Sequence, residues 1–348
     1  MIHRDQDSTD QYGNPIVSMS PPKIENVACP MATEGETWTA ICGVASYVQS
    51  WVTTQLQKKL DAWERRPPNR RGPLPTKESI TTELLSGRAS TQDMGVECYA
   101  AILRSCGYPP LTKIWYEMKI TSEQLKATTT NKLSSQITKL LTPSDYRRDA
   151  ALLECKKCPF WKHREVLRAG APKYRYLHDR ITEMMRTTDP KEHMLVYALN
   201  PVTCLITLML LLEDFSELRM MYIHAEVPCK PPETNKKYCR AAFIEALESH
   251  DHHQVFISSY EILSFGCNLQ ECNNFIGMEE PSSFESKMQA ACRVHRLGQT
   301  LPTRIEFLQD RMNASEESRV IKNEGRGMLN AGLDLSKYVE AQGSKQSA

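Results

Sequence analysis

Nowhere in the 348 residues does a lysine follow a glycine. The G-x-x-x-x-G-K-[ST] loop, whose backbone amides cradle phosphates, is therefore absent from this sequence. A D-E-x-H or similar acidic motif for magnesium is also lacking. These residues alone do not make a self-sufficient P-loop hydrolase. Charge of one sign is not in excess either. The net charge of +1 gives no global attraction to nucleic acid, so any polyanion site must be a local patch. The longest apolar run, Pro201 to Leu212, falls short of the roughly 20 residues that span a bilayer. The opening "MIHRDQDSTDQYG" is polar and unlike a signal peptide. A soluble intracellular protein with no membrane partner is the expectation.

Twelve cysteines are scattered along the chain, and without a secretory signal reduced thiols are expected. One pair, Cys155-Lys-Lys-Cys158 with His163 nearby, has metal-like spacing. A C-x2-C-x4-H-x4-C knuckle needs a fourth cysteine at 168, where Arg168 stands. Two buried or idle thiols are the reading, and no zinc is expected.

What is present divides the chain into segments. Residues 1–19 are polar and expected to be disordered. Residues 20–165 read as a mainly helical region. It opens on a short extended segment, "PPKIENVACPM", with Ile24, Val27 and Cys29 alternating. Trp38, Ile41, Val44, Val48 and Val52 then recur at helical spacing. That helix runs into "ERRPPNRRGPLP", where Arg65, Arg66, Arg70 and Arg71 sit among prolines and glycine. The stretch is a loop with a basic surface: a solvated linker or a phosphate-contacting loop. Helices are expected over about 91–105 and 121–141.

Residues 166–310 alternate short apolar strands with helices. "EHMLVYAL", "RMMYIHA", "HQVFISS", "CNNFIGME" and "PTRIEFLQ" read as five strands, separated by helical stretches. This order predicts βαβ units, hence an α/β fold with a parallel sheet and helices on both faces. Residues 311–348 read as one helix followed by a disordered polar end.

Ligands of parallel α/β sheets sit outside the carboxyl ends of the strands. Two loops are placed there by the sequence reading. "SSYEILSFGCNLQEC" follows the third strand, with Gly266 for a close turn and Asn268 to bond the backbone. "QAACRVHRLGQT" ends the helix after the fourth. Arg293 and Arg296, three apart, are expected on one helix face. Paired guanidiniums at such a cleft suit a phosphate chain.

These motifs carry a resemblance. "QAACRVHRLGQT" is similar to motif VI, Q-A-x-x-R-x-H-R-x-G-Q, of the SWI/SNF-type chromatin-remodelling ATPases of helicase superfamily two. Gln289, Ala290, Arg293, His295, Arg296, Gly298 and Gln299 stand at its fixed positions. Gly266, Asn268 and Leu269 resemble the motif V loop, G-x-N-L. "HMLVYAL" is similar to the strand opening the second RecA-like lobe, and Arg240 with Phe243 resemble the segment between. "PPKIENVACPM" and "GAPKYRYLHDRI" resemble the exit from the first lobe and the entry to the second. The family's aromatic-Asn-Pro element is replaced by "MEEPSSFES".

The resemblance implies a RecA-like helicase C-terminal lobe. It implies Arg293 and Arg296 as arginine fingers, and Gly266, Asn268, Gln289 and Gln299 near a nucleotide. ATP with Mg²⁺ would bind only with a complementary first lobe. It further implies nonspecific double-stranded DNA as a partner, with Arg65, Arg66, Arg70 and Arg71 contributing, and a nuclear location. A complementary helicase lobe or a chromatin protein is a further implied partner. Two readings stay open: half of an ATP-driven DNA translocase, or a non-catalytic DNA- or protein-binding module.

Overall fold

The computed structural model describes residues 22–80, 107–118, 133–187, 192–229, 238–248, 252–263, 269, 271–295, 299 and 301–330. The helix expected at 91–105, most of that at 121–141, and both chain ends lie outside them.

Strand β1 (Lys23–Ala28) leads into helix α1 (Gly35–Glu64). Short helices follow: α2 (Leu111–Met118), α3 (Leu133–Leu140), α4 (Arg148–Cys155) and α5 (Arg164–Ala169). Helix α6 (Pro172–Arg186) leads into β2 (His193–Ala198), α7 (Pro201–Asp214) and β3 (Arg219–Ile223). Then come α8 (Arg240–Glu245), β4 (Gln254–Ser259), α9 (Tyr260–Leu263) and β5 (Asn274–Gly277). Helix α10 (Phe284–Val294), β6 (Arg304–Gln309) and α11 (Ala314–Asn330) complete the order.

The six strands form one sheet in the order β1-β6-β5-β2-β4-β3, with every pairing parallel. The α/β expectation therefore holds, with one addition. The extended segment at 23–28 is not part of a separate helical region but a sheet strand, in register with Arg304–Gln309 along its whole length. It is the outer edge, and Ile24 remains 50% exposed there.

Alternate residues of the inner strands feed two cores, as side chains of period two must. Met194, Val196 and Ala198 of β2 join one cluster with the buried faces of α3, α4, α6 and α7. Leu195 and Tyr197 join the other, with Phe243 of α8 and Ala290, Ala291 and Val294 of α10. Helix α7 is buried on all sides from Val202 to Leu212, which explains why its sequence is apolar throughout. At the sheet's centre a Cβ on Gly277 would collide with the Tyr260 hydroxyl and stand 2.8 Å from the Phe307 ring.

Cys155 and Cys158 are packed in the first core. Burial pushes both thiols up, Cys158 to about 11. Among the described residues no group of three or more His, Cys, Asp and Glu could hold a metal ion.

Candidate functional site

Strands β5 and β6 are parallel neighbours, so the helix between them must run back against them. Helix α10 begins beyond the carboxyl end of β5, where Ser283 Oγ caps it by accepting the Ser286 N–H at 3.1 Å. Its last turn therefore lies at the amino ends of the strands. The sequence reading placed the arginine motif at the carboxyl ends; the return direction of the helix puts it on the opposite edge.

There the two motif segments meet. The Leu269 N–H donates to the Arg293 carbonyl at 3.2 Å, and the Leu269 side chain is buried. Gln299 works as a latch over the same junction. Its Nε2 donates to the Cys272 and Val294 carbonyls at 3.2 and 3.3 Å, and its Oε1 accepts the Leu301 N–H at 3.0 Å. The final carbonyls of α10, which have no helical partner, are thus satisfied from outside the helix. The helix stops at Val294, and His295 is extended (φ −101°, ψ 91°). The helix that would set Arg293 and Arg296 on one face ends at Val294, and Arg296 lies outside the described residues.

The remaining site residues separate. Arg293 is half-buried and Gln289 is exposed on α10. Gly266, Asn268, Arg296 and Gly298 lie outside the described residues. His295 Nδ1 is 3.3 Å from Thr303 Oγ1, and burial holds its pKa below the ordinary value, favouring the neutral ring. Arg240 ties the neighbouring loops together. Its guanidinium donates to the carbonyls of Val227 (2.9 Å), Ala225 (3.2 Å) and Ile262 (3.4 Å), the last in the helix that leads into the Gly266 segment.

The carboxyl edge holds a cluster that the sequence reading missed. Glu279, at the end of the fourth strand reading, and Glu280 beside it, in the segment that stands in for an aromatic-Asn-Pro element, are both fully buried. Glu279 Oε2 accepts the N–H groups of Leu199 (2.7 Å) and Asn200 (3.1 Å), and Oε1 accepts the Thr203 hydroxyl at 3.0 Å. A carboxylate thus occupies the positive end of α7 where an external anion would otherwise sit. Burial raises the pKa of Glu279.

Glu280 binds Lys287 Nζ at 2.9 Å and accepts from Gln309 Nε2 (3.1 Å) and Asn323 Nδ2 (2.8 Å). Glu316 of α11 takes Lys173 Nζ on both oxygens, at 2.7 and 2.6 Å. The same carboxylate accepts the Glu280 N–H at 2.8 Å and the Asp310 N–H at 3.0 Å. Two carboxylates side by side in sequence were the available signal; their hydrogen-bond partners are up to 80 residues away.

The four loop arginines all lie on the surface after α1. They differ in use: Arg71 is bonded into the loop, donating to the Arg66 and Glu64 carbonyls at 3.0 and 2.8 Å.

An α/β lobe with an all-parallel sheet is what this architecture defines. No family model matches the chain, and no curated protein matches it. Among solved structures it is similar to the C-terminal part of the Fun30 ATPase domain. That match has 15% identity and a TM-score of 0.47, over 87% of this chain and 89% of that one. It is also similar to the Hef helicase domain of Pyrococcus furiosus, at 15% identity and a TM-score of 0.40. The second match covers 87% of this chain but 58% of the Hef chain, so the chain spans less than two thirds of that relative. At these scores neither match fixes a family.

Proposed function

We propose that this chain is a RecA-like helicase C-terminal lobe of a chromatin-remodelling DNA translocase, and that it hydrolyses ATP only with a lobe that supplies the phosphate loop. One observation carries the reading: the G-x-N-L segment and the Q-A-x-x-R-x-H-R-x-G-Q segment, 20 or more residues apart, are bonded together at one sheet edge through Leu269 and Arg293. On this reading Arg293 and Arg296 reach a γ-phosphate held by the other lobe. Charge developing there would be stabilised by the two guanidiniums. The described residues offer no metal set, so Mg²⁺ would come with the complementary lobe. Duplex DNA is the proposed polymer, and the nucleus the proposed location.

The test adds a phosphate-loop lobe from a remodelling ATPase to the purified chain. The chain alone should show no DNA-stimulated ATP hydrolysis. The two-lobe assembly should turn over, and Arg293→Ala or Arg296→Ala should reduce its rate at least about a hundredfold. Turnover by the chain alone, or an assembly indifferent to both substitutions, refutes the reading. One observation favours the non-catalytic binding module as a second reading: the Gln299 amide is committed to backbone groups instead of facing a ligand. That module would bind DNA or protein yet give no turnover in the assembly.

A further inference from the structure

The loop after α1 is built, not slack. Trp63, in the last turn of α1, donates its Nε1–H to the Gly72 carbonyl at 2.8 Å. The Arg71 guanidinium lies over the Trp63 ring, 4.7 Å from its centroid, while bonded to the Arg66 and Glu64 carbonyls. A 3-10 turn over Pro68–Arg70 fills the space between, with Arg70 N–H donating to the Pro67 carbonyl at 2.8 Å. The far side is fixed by Thr76 and Ser79. Each backbone N–H of that pair donates to the other's hydroxyl, at 3.2 and 3.1 Å.

This frame leaves Arg65, Arg66 and Arg70 exposed, with no ion pair among the described residues. From Arg65 to Lys77 the chain carries five cations and no acid. Acidic residues flank the stretch on both sides, Glu64 at the end of α1 and Glu78 after Lys77, while Asp61 of α1 accepts from Gln57 Nε2 at 2.7 Å.

We infer that this loop is a docking point for a nucleic-acid phosphate backbone, in which Arg71 and Trp63 hold the shape and Arg65, Arg66 and Arg70 make the contacts. The inference rests on the DNA reading above. Uncompensated positive charge in so short a stretch seeks a polyanion. Guanidiniums match phosphate oxygens with two parallel hydrogen bonds each. The prolines and the Arg71–Trp63 stack restrict the loop before binding, which lowers the ordering cost. Helix α1, with 30 residues, is about 45 Å long, so the loop stands well away from its start beside β1.

The test is a salt series with a labelled duplex and the full chain. The Arg65→Ala/Arg66→Ala/Arg70→Ala triple variant should bind at least about tenfold more weakly near 0.1 M salt. Its slope of log affinity on log salt should be shallower by roughly two to three, since each neutralised phosphate contributes about 0.9. Arg71→Ala should weaken binding although Arg71 makes no contact. Arg71→Lys should not restore it, because lysine lacks the planar fork that stacks and bridges. A triple variant with the parent's affinity and slope overturns the loop assignment and leaves the DNA reading standing. A parent chain with no salt-dependent duplex binding overturns both. Poly-glutamate binding tighter than duplex at equal salt, and lost in the triple variant, overturns the nucleic-acid assignment in favour of an acidic protein segment. Thermal melts of the triple variant should match the parent, since its three altered side chains are on the surface.

Discussion

Replacing Lys173 with methionine isolates the ion pair that ties α6 to α11. The side chains are 1% and 0% exposed, so neither charge reaches water. Lys173 Nζ lies within 2.7 Å of both Glu316 oxygens. Without the ammonium the carboxylate keeps two backbone donors, Glu280 N–H and Asp310 N–H, but no countercharge. Removing one member of a buried pair costs about 3–5 kcal/mol, because the survivor stays buried and unneutralised. For a chain this long that is a fall in Tm of about 4–7 °C. Glu316→Gln should cost about as much, since it strands the ammonium. The double variant carries neither charge and should lose clearly less than the sum of the two, by about 2 kcal/mol or more. Equilibrium urea unfolding gives the comparison, with the midpoint shifting at constant slope. A Lys173→Met protein within about 0.5 kcal/mol of the parent would refute the reasoning, showing that the pair is not a stabilising contact in the folded state.

Gln299→Ala should destabilise by about 1–3 kcal/mol, because two carbonyls and one N–H lose their partner at the motif junction; an unchanged urea midpoint would show the latch to be idle. His224 is buried after β3, and desolvation pushes its pKa down from 6.5 to about 4. The unfolded chain therefore takes up a proton that the fold refuses, so stability should fall as pH drops through the window from 6.5 towards 4. The His224 share is about 2 kcal/mol between pH 7 and pH 5, read as the part of the midpoint change that His224→Gln removes.

The sheet was legible because its strands are buried on both faces. Runs such as Met194–Ala198 are apolar without interruption, and no helix-length repeat competes with them. The helices between them implied a parallel order, and the order is parallel. Less of the site could be read. Strand β1 looked merely extended, because its partner β6 lies some 280 residues away and pairing carries no local signature. The end of α10 at Val294 depends on Gln299 and Leu269, not on a local stop signal. Direction decided the largest correction: periodicity identifies a helix, but the edge at which its last residue falls follows from the strand pairing. Nothing local marked Glu279, at the end of the strand reading, or Glu280 beside it as buried, since their partners come from the start of α7, from α10, from β6 and from α11.

The position of β1 also orders events during synthesis. Residues 23–28 leave the ribosome long before residues 304–309, their partner in the sheet. The lock between Lys173 and Glu316 likewise waits for α11. Until residues 304–309 and α11 are made, β1 lacks its sheet partner and the charged pair is open. Pairings of such long sequence separation make assembly slow, since the loop entropy is spent before any contact forms. A nascent chain halted before residue 304 should therefore expose both β1 and the outer side of β5, the surfaces that a trigger-type chaperone or a neighbouring nascent chain would meet first.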